Sequence, residues 1–281
     1  QLDALGIPSD IETGIYPSIV ALFEEAMATY RDEAACSSVG HTLSYVDLDR
    51  LSARFAGWLQ HGAGLERGDR VAVQMPNLIQ YLVVCLGALR AGMVVVNTNP
   101  LYTERELEHQ VKDAGVRLMV VQANVAQTAA AVLPRTAVET VVVTEIADLH
   151  PQPKRALINF LVKYVKRMVP AFSIPGALTL NAVLKAGAQT PYRAVMLNRD
   201  DLAMLQYTGG TTGVAKGAML THGNLLANVL QSDTFFTTYD ITGQGSTILQ
   251  PLPVYHIYAF TASMYALRIG AHTVFVPNPR D

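Results

Sequence analysis

A run rich in glycine and threonine, with one lysine near its end, occupies Tyr207 to Ala218 and reads Tyr-Thr-Gly-Gly-Thr-Thr-Gly-Val-Ala-Lys-Gly-Ala. Its glycines permit positive φ angles and close backbone approach, its threonines supply hydroxyl groups, and Lys216 adds a full positive charge. Where N–H groups, hydroxyls and an ammonium converge, they form a concave site for an anion. Each charge-assisted hydrogen bond in such a site contributes roughly 1.5–3 kcal/mol. The run therefore predicts a loop that binds a phosphate chain.

Two well-known phosphate-binding loops do not fit this order of residues. A Walker A loop ends in Gly-Lys-Ser/Thr, whereas Lys216 follows Ala215 and precedes Gly217. The dinucleotide fingerprint Gly-x-Gly-x-x-Gly occurs nowhere in the chain. A surface turn rich in glycine and threonine is the plain alternative, and the specific order of residues argues against it.

The run resembles the phosphate-binding signature of the acyl-adenylate-forming superfamily, which includes acyl-CoA synthetases, luciferases and adenylation domains of peptide synthetases. Its one departure is Ala215, where that family usually has proline, so we expect a slightly looser loop whose ligand groups are all retained. The resemblance implies that the whole run contacts ATP and that Thr208 contacts Mg²⁺. The implied ATP contacts are Tyr207, Thr208, Gly209, Gly210, Thr211, Thr212, Gly213, Val214, Ala215, Lys216, Gly217 and Ala218.

The resemblance extends along most of the chain. The segments Thr42–Tyr45, Gly68–Val73 and Gly87–Gly92 are similar to the family's opening elements and occur in the same order. Two short sequences resemble the bacterial long-chain fatty-acid CoA ligases in particular, namely Asn-Thr-Asn-Pro-Leu-Tyr-Thr at 97–103 and Tyr-Thr-Gly-Gly at 207–210.

A second motif, Pro251 to Phe260, resembles the family's next core motif, in which a histidine lies near the carboxylate and the α-phosphate. A lone histidine beside aromatic residues is more often a core residue, but its place after the phosphate loop favours a functional His256. The resemblance thus implies catalytic roles for Lys216 and His256. It also implies that His256 and Phe260 contact the acid substrate, with Phe260 at the acyl tunnel.

The resemblance implies a two-step reaction that uses ATP, Mg²⁺ and CoA. ATP first converts a long-chain fatty acid to acyl-AMP with release of pyrophosphate, and the thiol of CoA then displaces AMP. Positive charge from Lys216 and Mg²⁺ reduces repulsion between the two anions that react. Two alternatives stay open, namely an adenylate-forming ligase for an aryl or amino acid and a non-catalytic nucleotide- or lipid-binding module. A homodimer also stays open.

Composition supports a globular protein that works inside the cell. The chain has 281 residues, 50% of them hydrophobic, and a formal charge of −2, which argues against a nucleic-acid partner. Cys36 and Cys85 are interpreted as small core residues of a cytoplasmic protein, since no secretory signal opens the sequence. The apolar stretch from Tyr81 to Val96 is interrupted by Arg90, and it predicts a buried helix and strand.

The order of elements predicts an α/β fold, the N-terminal part of the acyl-adenylate-forming fold, with mainly parallel βαβ sheets flanked by helices. We expect a first lobe at 1–198 and the start of a second lobe at 199–281. The family's adenine and ribose contacts, its hinge and its C-terminal domain with a catalytic lysine would follow Asp281, so we expect the chain alone to be inactive.

Individual elements are also predicted from periodicity and capping. A helix over 45–61 precedes strands at 70–74 and 93–96; Thr103 and Glu106 form a capping box for a helix that Gly115 stops. Further strands are predicted at 116–122, 140–143, 202–207 and 217–220. Thr221 is expected to cap a helix that ends near Leu230.

One segment differs in charge from the rest of the chain. No Asp or Glu occurs from Leu149 to Asn198, while lysines and arginines recur among aliphatic and aromatic residues between Lys154 and Met168. A basic amphipathic helix of this kind suits an anionic membrane surface, here the inner face of the cell membrane. The alternative is an amphipathic helix docked on its own domain.

Overall fold

A computed structural model describes residues 10–208, 215–238 and 243–278. Its α-helices are α1 Ile19–Thr29, α2 Tyr45–His61, α3 Ile79–Arg90, α4 Glu104–Asp113, α5 Ala126–Val132, α6 Lys154–Phe160, α7 Leu180–Gly187, α8 His222–Thr238 and α9 Ile257–Arg268. Its strands are β1 Ala34–Ser38, β2 His41–Ser44, β3 Arg70–Gln74, β4 Val94–Thr98, β5 Val116–Gln122, β6 Thr140–Thr144, β7 Leu178–Thr179, β8 Leu202–Thr208, β9 Lys216–Thr221, β10 Thr247–Gln250 and β11 His272–Phe275.

The strands form two mainly parallel sheets. Within the described residues, a 7-stranded sheet has the order β7-β6-β5-β3-β4-β8-β9; its β8–β9 pair is antiparallel and its other pairs are parallel. A 4-stranded sheet has the order β10-β11-β1-β2, with an antiparallel β1–β2 pair. The predicted α/β class and parallel βαβ organisation are therefore confirmed. A lobe boundary at residue 198 stays a prediction, and strands from both sides of it share both sheets.

Most predicted elements occur close to their expected bounds. The 45–61 helix and the 70–74 and 116–122 strands agree in full, while β4 begins one residue later than expected and continues to Thr98. The expected end of α8 near Leu230 is wrong, because the helix continues to Thr238. No glycine or proline interrupts residues 231–238, and the ring of Phe236 packs on Tyr265 at a centroid distance of 5.2 Å.

The two faces of the 7-stranded sheet pack against different helices. Val71 and Val73 of β3 belong to a core cluster that also contains residues of α1, α2, α3, α8 and α9. Ala72, between them, faces a second cluster with α4 and α5, as the alternation of side chains along a strand requires. These two layers place α4 and α5 on one side of the sheet.

Helix α3 is buried along its whole length and leads into β4, as the apolar stretch from Tyr81 to Val96 predicts. Cys36 and Cys85 are both buried and free, and burial raises the pKa of each thiol. None of the helices in the described part of the chain combines the length and hydropathy needed to cross a bilayer.

Candidate functional site

The β8–β9 pair places two predicted site residues opposite each other. Thr208, the last residue of β8, pairs with Lys216, the first residue of β9. Both residues are exposed, and Lys216 makes no ion pair with any residue in the described ranges. An exposed ammonium without a protein partner is available to an anionic ligand. The predicted contacts Gly209, Gly210, Thr211, Thr212, Gly213 and Val214 lie outside the described residues.

Helix α4 supports both strands of this hairpin. Nε2 of His109 lies 2.9 Å from the carbonyl oxygen of Ala215, and the hydroxyl of Tyr207 lies 2.5 Å from Oδ2 of Asp113. The helix begins at the predicted capping box, in which the hydroxyl of Thr103 donates to the carboxylate of Glu106 at 2.7 Å. Sequence reasoning found the cap but not the contacts of α4 with the hairpin.

A cavity of about 1020 Å³ opens between α4, the hairpin and the loop that precedes α9. It lies at the carboxyl ends of the parallel strands β4 and β8, which is where open α/β sheets bind ligands. The residues that line it include Asn99, Arg105, His109, Gln206, Tyr207 and His256.

His256 reaches this cavity from the start of α9. Its Nδ1 accepts a hydrogen bond from the backbone N–H of Tyr258 at 3.3 Å, so in the neutral imidazole the proton resides on Nε2. His256 is exposed and lines the same cavity as Tyr207 and Ala215. The fold thus unites the two motifs that the sequence singles out, and His256 can donate a hydrogen bond to a bound anion.

A buried polar network fixes the loop that carries His256. The amide of Gln206 donates to the carbonyl oxygen of Tyr255 at 3.2 Å and accepts from the amide of Asn97 at 3.1 Å. The hydroxyl of Tyr81 donates to Oδ1 of Asn97 at 2.7 Å. Sequence reasoning missed Gln206 as a support, since a glutamine inside a strand carries no signal for a contact with a loop 49 residues further along.

Phe260, predicted to touch the acid substrate, is completely buried in the core. Its ring meets the ring of Tyr81 edge-on at a centroid distance of 6.4 Å. The residue lies one turn of α9 beyond His256 and is not among the residues that line the cavity, so its contact with the acid stays a prediction.

The hydroxyl of Thr208 is the Mg²⁺ ligand that the sequence predicts at this hairpin. The described residues contain no group of three or more His, Cys, Asp or Glu side chains that could hold a metal ion. Mg²⁺ usually retains water and binds through substrate phosphates with one or two protein oxygens, so the exposed hydroxyl of Thr208 fits an auxiliary ligand of a phosphate-bound ion.

The basic segment forms a second surface. Helix α6 continues into a π-helical turn, Leu161–Val165, and neither part buries a single residue. Among its large apolar side chains, Leu157 is 59% exposed, Tyr164 60% and Val165 63%. Lys154, Arg155 and Asn159 of α6 also hydrogen-bond to Gly40, Asn181 and Asp148, so the docked-helix alternative stays open.

The two motifs that the sequence singles out meet at one cavity beside the 7-stranded sheet. A family model described as AMP-binding enzyme matches residues 23–281. The chain belongs to the AMP-binding enzyme family.

Two bacterial ligases are similar to nearly the whole of this chain. It is 44% identical over 276 residues to a long-chain-fatty-acid–CoA ligase of Escherichia coli O157:H7, covering 98% of this chain and 49% of that protein. A ligase of the same name from Bacillus subtilis strain 168 is 32% identical over 266 residues, covering 93% of this chain and 46% of that protein. The chain therefore spans about half the length of these relatives.

A solved structure agrees with the fold. A long-chain-fatty-acid-CoA ligase from Archaeoglobus fulgidus superposes with a TM-score of 0.75 at 24% identity, covering 93% of this chain and 47% of that one. The predicted fold, the N-terminal part of the acyl-adenylate-forming fold, is confirmed.

Proposed function

We propose that this chain is part of an enzyme that activates a long-chain fatty acid, first to acyl-AMP with ATP and then to acyl-CoA. The observation that carries the proposal is the cavity shared by His256 and Ala215, the latter directly before Lys216, whose ammonium makes no ion pair within the described residues. Support for the acid comes from the name of the Escherichia coli relative, a long-chain-fatty-acid–CoA ligase at 44% identity.

The first step joins two anions, so its main requirement is positive charge and orientation. A carboxylate oxygen attacks the α-phosphorus of ATP, the new O–P bond forms, and the P–O bond to pyrophosphate breaks. The ammonium of Lys216 would neutralise phosphate charge as it redistributes, and Nε2–H of His256 would donate to a carboxylate or phosphate oxygen. Mg²⁺ would arrive with the phosphates, with Thr208 as its auxiliary ligand. In the second step the sulfur of CoA attacks the acyl carbon and AMP leaves.

The class of acid that the enzyme activates can be tested separately from the second step of the reaction. Acid-dependent exchange of labelled pyrophosphate into ATP reports the first step alone. We expect exchange with a long-chain saturated acid and little with benzoate or an amino acid. Exchange that depends on an aryl or amino acid would favour an adenylate-forming ligase for that class of acid. Binding of nucleotide without any exchange would favour a non-catalytic nucleotide-binding module.

We further propose that the 281-residue chain does not complete the reaction by itself, since it spans about half the length of its relatives. The test compares this chain with one extended to the relatives' length, using a long-chain acid, ATP, Mg²⁺ and CoA. Thioester should form only with the longer chain. Thioester formed by the 281-residue chain would contradict the proposal.

Finally, we propose that the enzyme works in the cytoplasm and touches the inner face of the cell membrane through α6 and its π-helical turn. The support is a surface on which exposed apolar side chains lie among the exposed cations Lys163, Lys166 and Arg167. Aliphatic groups enter the headgroup boundary while lysine and arginine attract anionic lipid. Such contact would bring the enzyme to fatty acid that is dissolved in the bilayer.

A further inference from the structure

Helix α4 carries two side chains that contact the β8–β9 hairpin, one at Ala215 just before Lys216 and one at Tyr207 of β8. We propose that His109 and Asp113 are positioning residues for Lys216, and that the His109 contact restrains the backbone at position 215 in place of the proline that the family resemblance leads one to expect there. The proposal rests on the proposed function, because it assigns residues that support the same site.

The contact on the β9 side restrains the peptide bond that enters Lys216. The carbonyl oxygen of Ala215 can only accept, so Nε2 of His109 donates the 2.9 Å hydrogen bond. That carbonyl belongs to the planar peptide unit between Ala215 and Lys216. A fixed carbonyl oxygen therefore fixes the orientation of this peptide plane, which includes the Cα of Lys216. His109 itself is half-buried between the cavity and the hairpin.

The contact on the β8 side comes from the same face of α4, since Asp113 follows His109 by four residues. The hydroxyl of Tyr207 donates to Asp113 at 2.5 Å, and burial followed by the neighbouring carboxylate raises the pKa of Tyr207, which keeps the proton on the phenol. The Tyr207 ring stands at 85° to the ring of His109, at a centroid distance of 6.5 Å. Its other side lies against Gly217.

Lys216 is thus restrained through both of its neighbours in the chain. Ala215 before it is tied to His109, and Gly217 after it packs on Tyr207, which is tied to Asp113. A proline at 215 would fix φ, a restraint that alanine lacks. The expected loosening at Ala215 is therefore offset by a contact from α4. Sequence inspection does not show it, because His109 and Ala215 are 106 residues apart.

The test uses the chain extended to the length of its relatives and three variants. His109→Leu removes the donor, His109→Gln keeps a donor at nearly the same reach, and the double variant His109→Leu with Ala215→Pro replaces the hydrogen bond by a ring. We expect His109→Leu to lower the rate constant of acid-dependent pyrophosphate exchange by about 10- to 100-fold with little change in KM for the acid. The glutamine variant should recover most of the rate, and so should the double variant.

Combining His109→Leu with Lys216→Ala distinguishes a positioning role of His109 from a general disturbance of the structure. In a Lys216→Ala background, His109→Leu should lower the exchange rate by less than twofold, because the group that it positions is gone. An undiminished effect in that background, or no recovery in either the glutamine or the proline variant, would overturn the proposal. Equal thermal midpoints would confirm that all variants are folded.

A second measurement does not depend on catalysis. Backbone hydrogen exchange of residues 215–221 should be faster in His109→Leu than in the unchanged protein, and slow again in the double variant. Unchanged protection in His109→Leu would overturn the proposal whether or not the enzyme activates fatty acids. If the unchanged enzyme shows no acid-dependent pyrophosphate exchange, the proposed function fails, and hydrogen exchange alone decides the role of His109.

Discussion

The ring of Tyr207 and the backbone of Gly217 are in contact across the β8–β9 pair. A Cβ atom built at Gly217 would lie 2.9 Å from Cε2 and 3.0 Å from Cζ of Tyr207. The ring cannot retreat freely, because its hydroxyl is bonded to Asp113 and its edge faces His109. Close approach of the ring to the strand thus requires glycine at position 217.

We predict that Gly217→Ala destabilises the protein by about 1–3 kcal/mol, the usual cost of an overpacked contact. It should also slow pyrophosphate exchange in the extended enzyme, because the displaced ring no longer supports the strand of Lys216. Urea unfolding gives the first quantity. Gly14→Ala is the matched control, since an added Cβ there meets no atom within 4 Å, and its stability should stay within about 0.5 kcal/mol. Equal stability of the two variants would contradict the packing argument.

Replacing Lys216 by alanine should act on chemistry and not on folding. The side chain is exposed and pairs with no described carboxylate, so the midpoint of thermal unfolding should not change. The rate of acid-dependent pyrophosphate exchange should fall by about 10²- to 10³-fold, as for loss of one group that stabilises charge in a transition state. Lys185→Ala, an exposed lysine on α7, should leave both quantities unchanged. An unaltered exchange rate in Lys216→Ala would assign this lysine to structure alone.

The sequence predicts what is encoded locally. Thr103 and Glu106 cap α4, apolar residues at helical spacing form α2, and short apolar runs form the strands, since each signal acts over a few residues. The site motifs are also contiguous in sequence, which is why Lys216 and His256 could be named in advance.

The supports of the site could not be predicted in the same way. The bonds from His109 to Ala215 and from Gln206 to Tyr255 join residues 106 and 49 positions apart, and neither pair belongs to a recognisable pattern. The order of strands is equally non-local, because β8 lies beside β4 although seven helices and strands, from α4 to α7, separate the two in the chain. These relationships depend on tertiary packing, which propensity and periodicity do not contain.

His222 makes stability depend on pH. It is only 1% exposed, and burial, opposed in part by Asp201 and aided by Arg67, lowers the pKa of His222 to about 4. In the unfolded chain His222 has an ordinary pKa near 6.5. Between about pH 6.5 and 4, His222 is therefore protonated in the unfolded chain and neutral in the folded one. The free energy of unfolding should be highest above this window and fall through it by about 3 kcal/mol as an upper estimate.

Urea unfolding at pH 7.5 and pH 5.0 measures this contribution, and His222→Gln is the comparison because glutamine does not titrate in the window. Other groups titrate equally in both proteins, so the difference between the two pH dependences isolates His222. We expect the unchanged protein to lose more stability than the variant on acidification. Equal losses of stability in the two proteins would mean that His222 takes up a proton to the same extent in the folded and the unfolded chain.

The surface of α6 and its π-helical turn gives a prediction about lipid. Exposed Lys163, Lys166 and Arg167 accompany exposed apolar side chains, with no acidic residue between 149 and 198. The extended protein should therefore sediment with anionic vesicles, release them as salt rises above physiological strength, and bind neutral vesicles weakly. Changing the three cations together to glutamine should weaken binding by up to about 3 kcal/mol, at about 1 kcal/mol for each charge near the leaflet.

A control variant separates the effect of where the three cations lie from the effect of the protein's net charge on vesicle binding. A second triple variant removes the same charge from exposed arginines elsewhere in the chain, namely Arg31, Arg105 and Arg193, all to glutamine. Because these arginines lie outside the helix that carries the apolar side chains, this variant should retain most of the binding, and far-UV circular dichroism should show that both variants are folded. Equal losses in the two variants would reduce the effect to overall charge. Equal sedimentation of the unchanged protein with neutral and anionic vesicles would leave the exposed helix without a role at an anionic membrane.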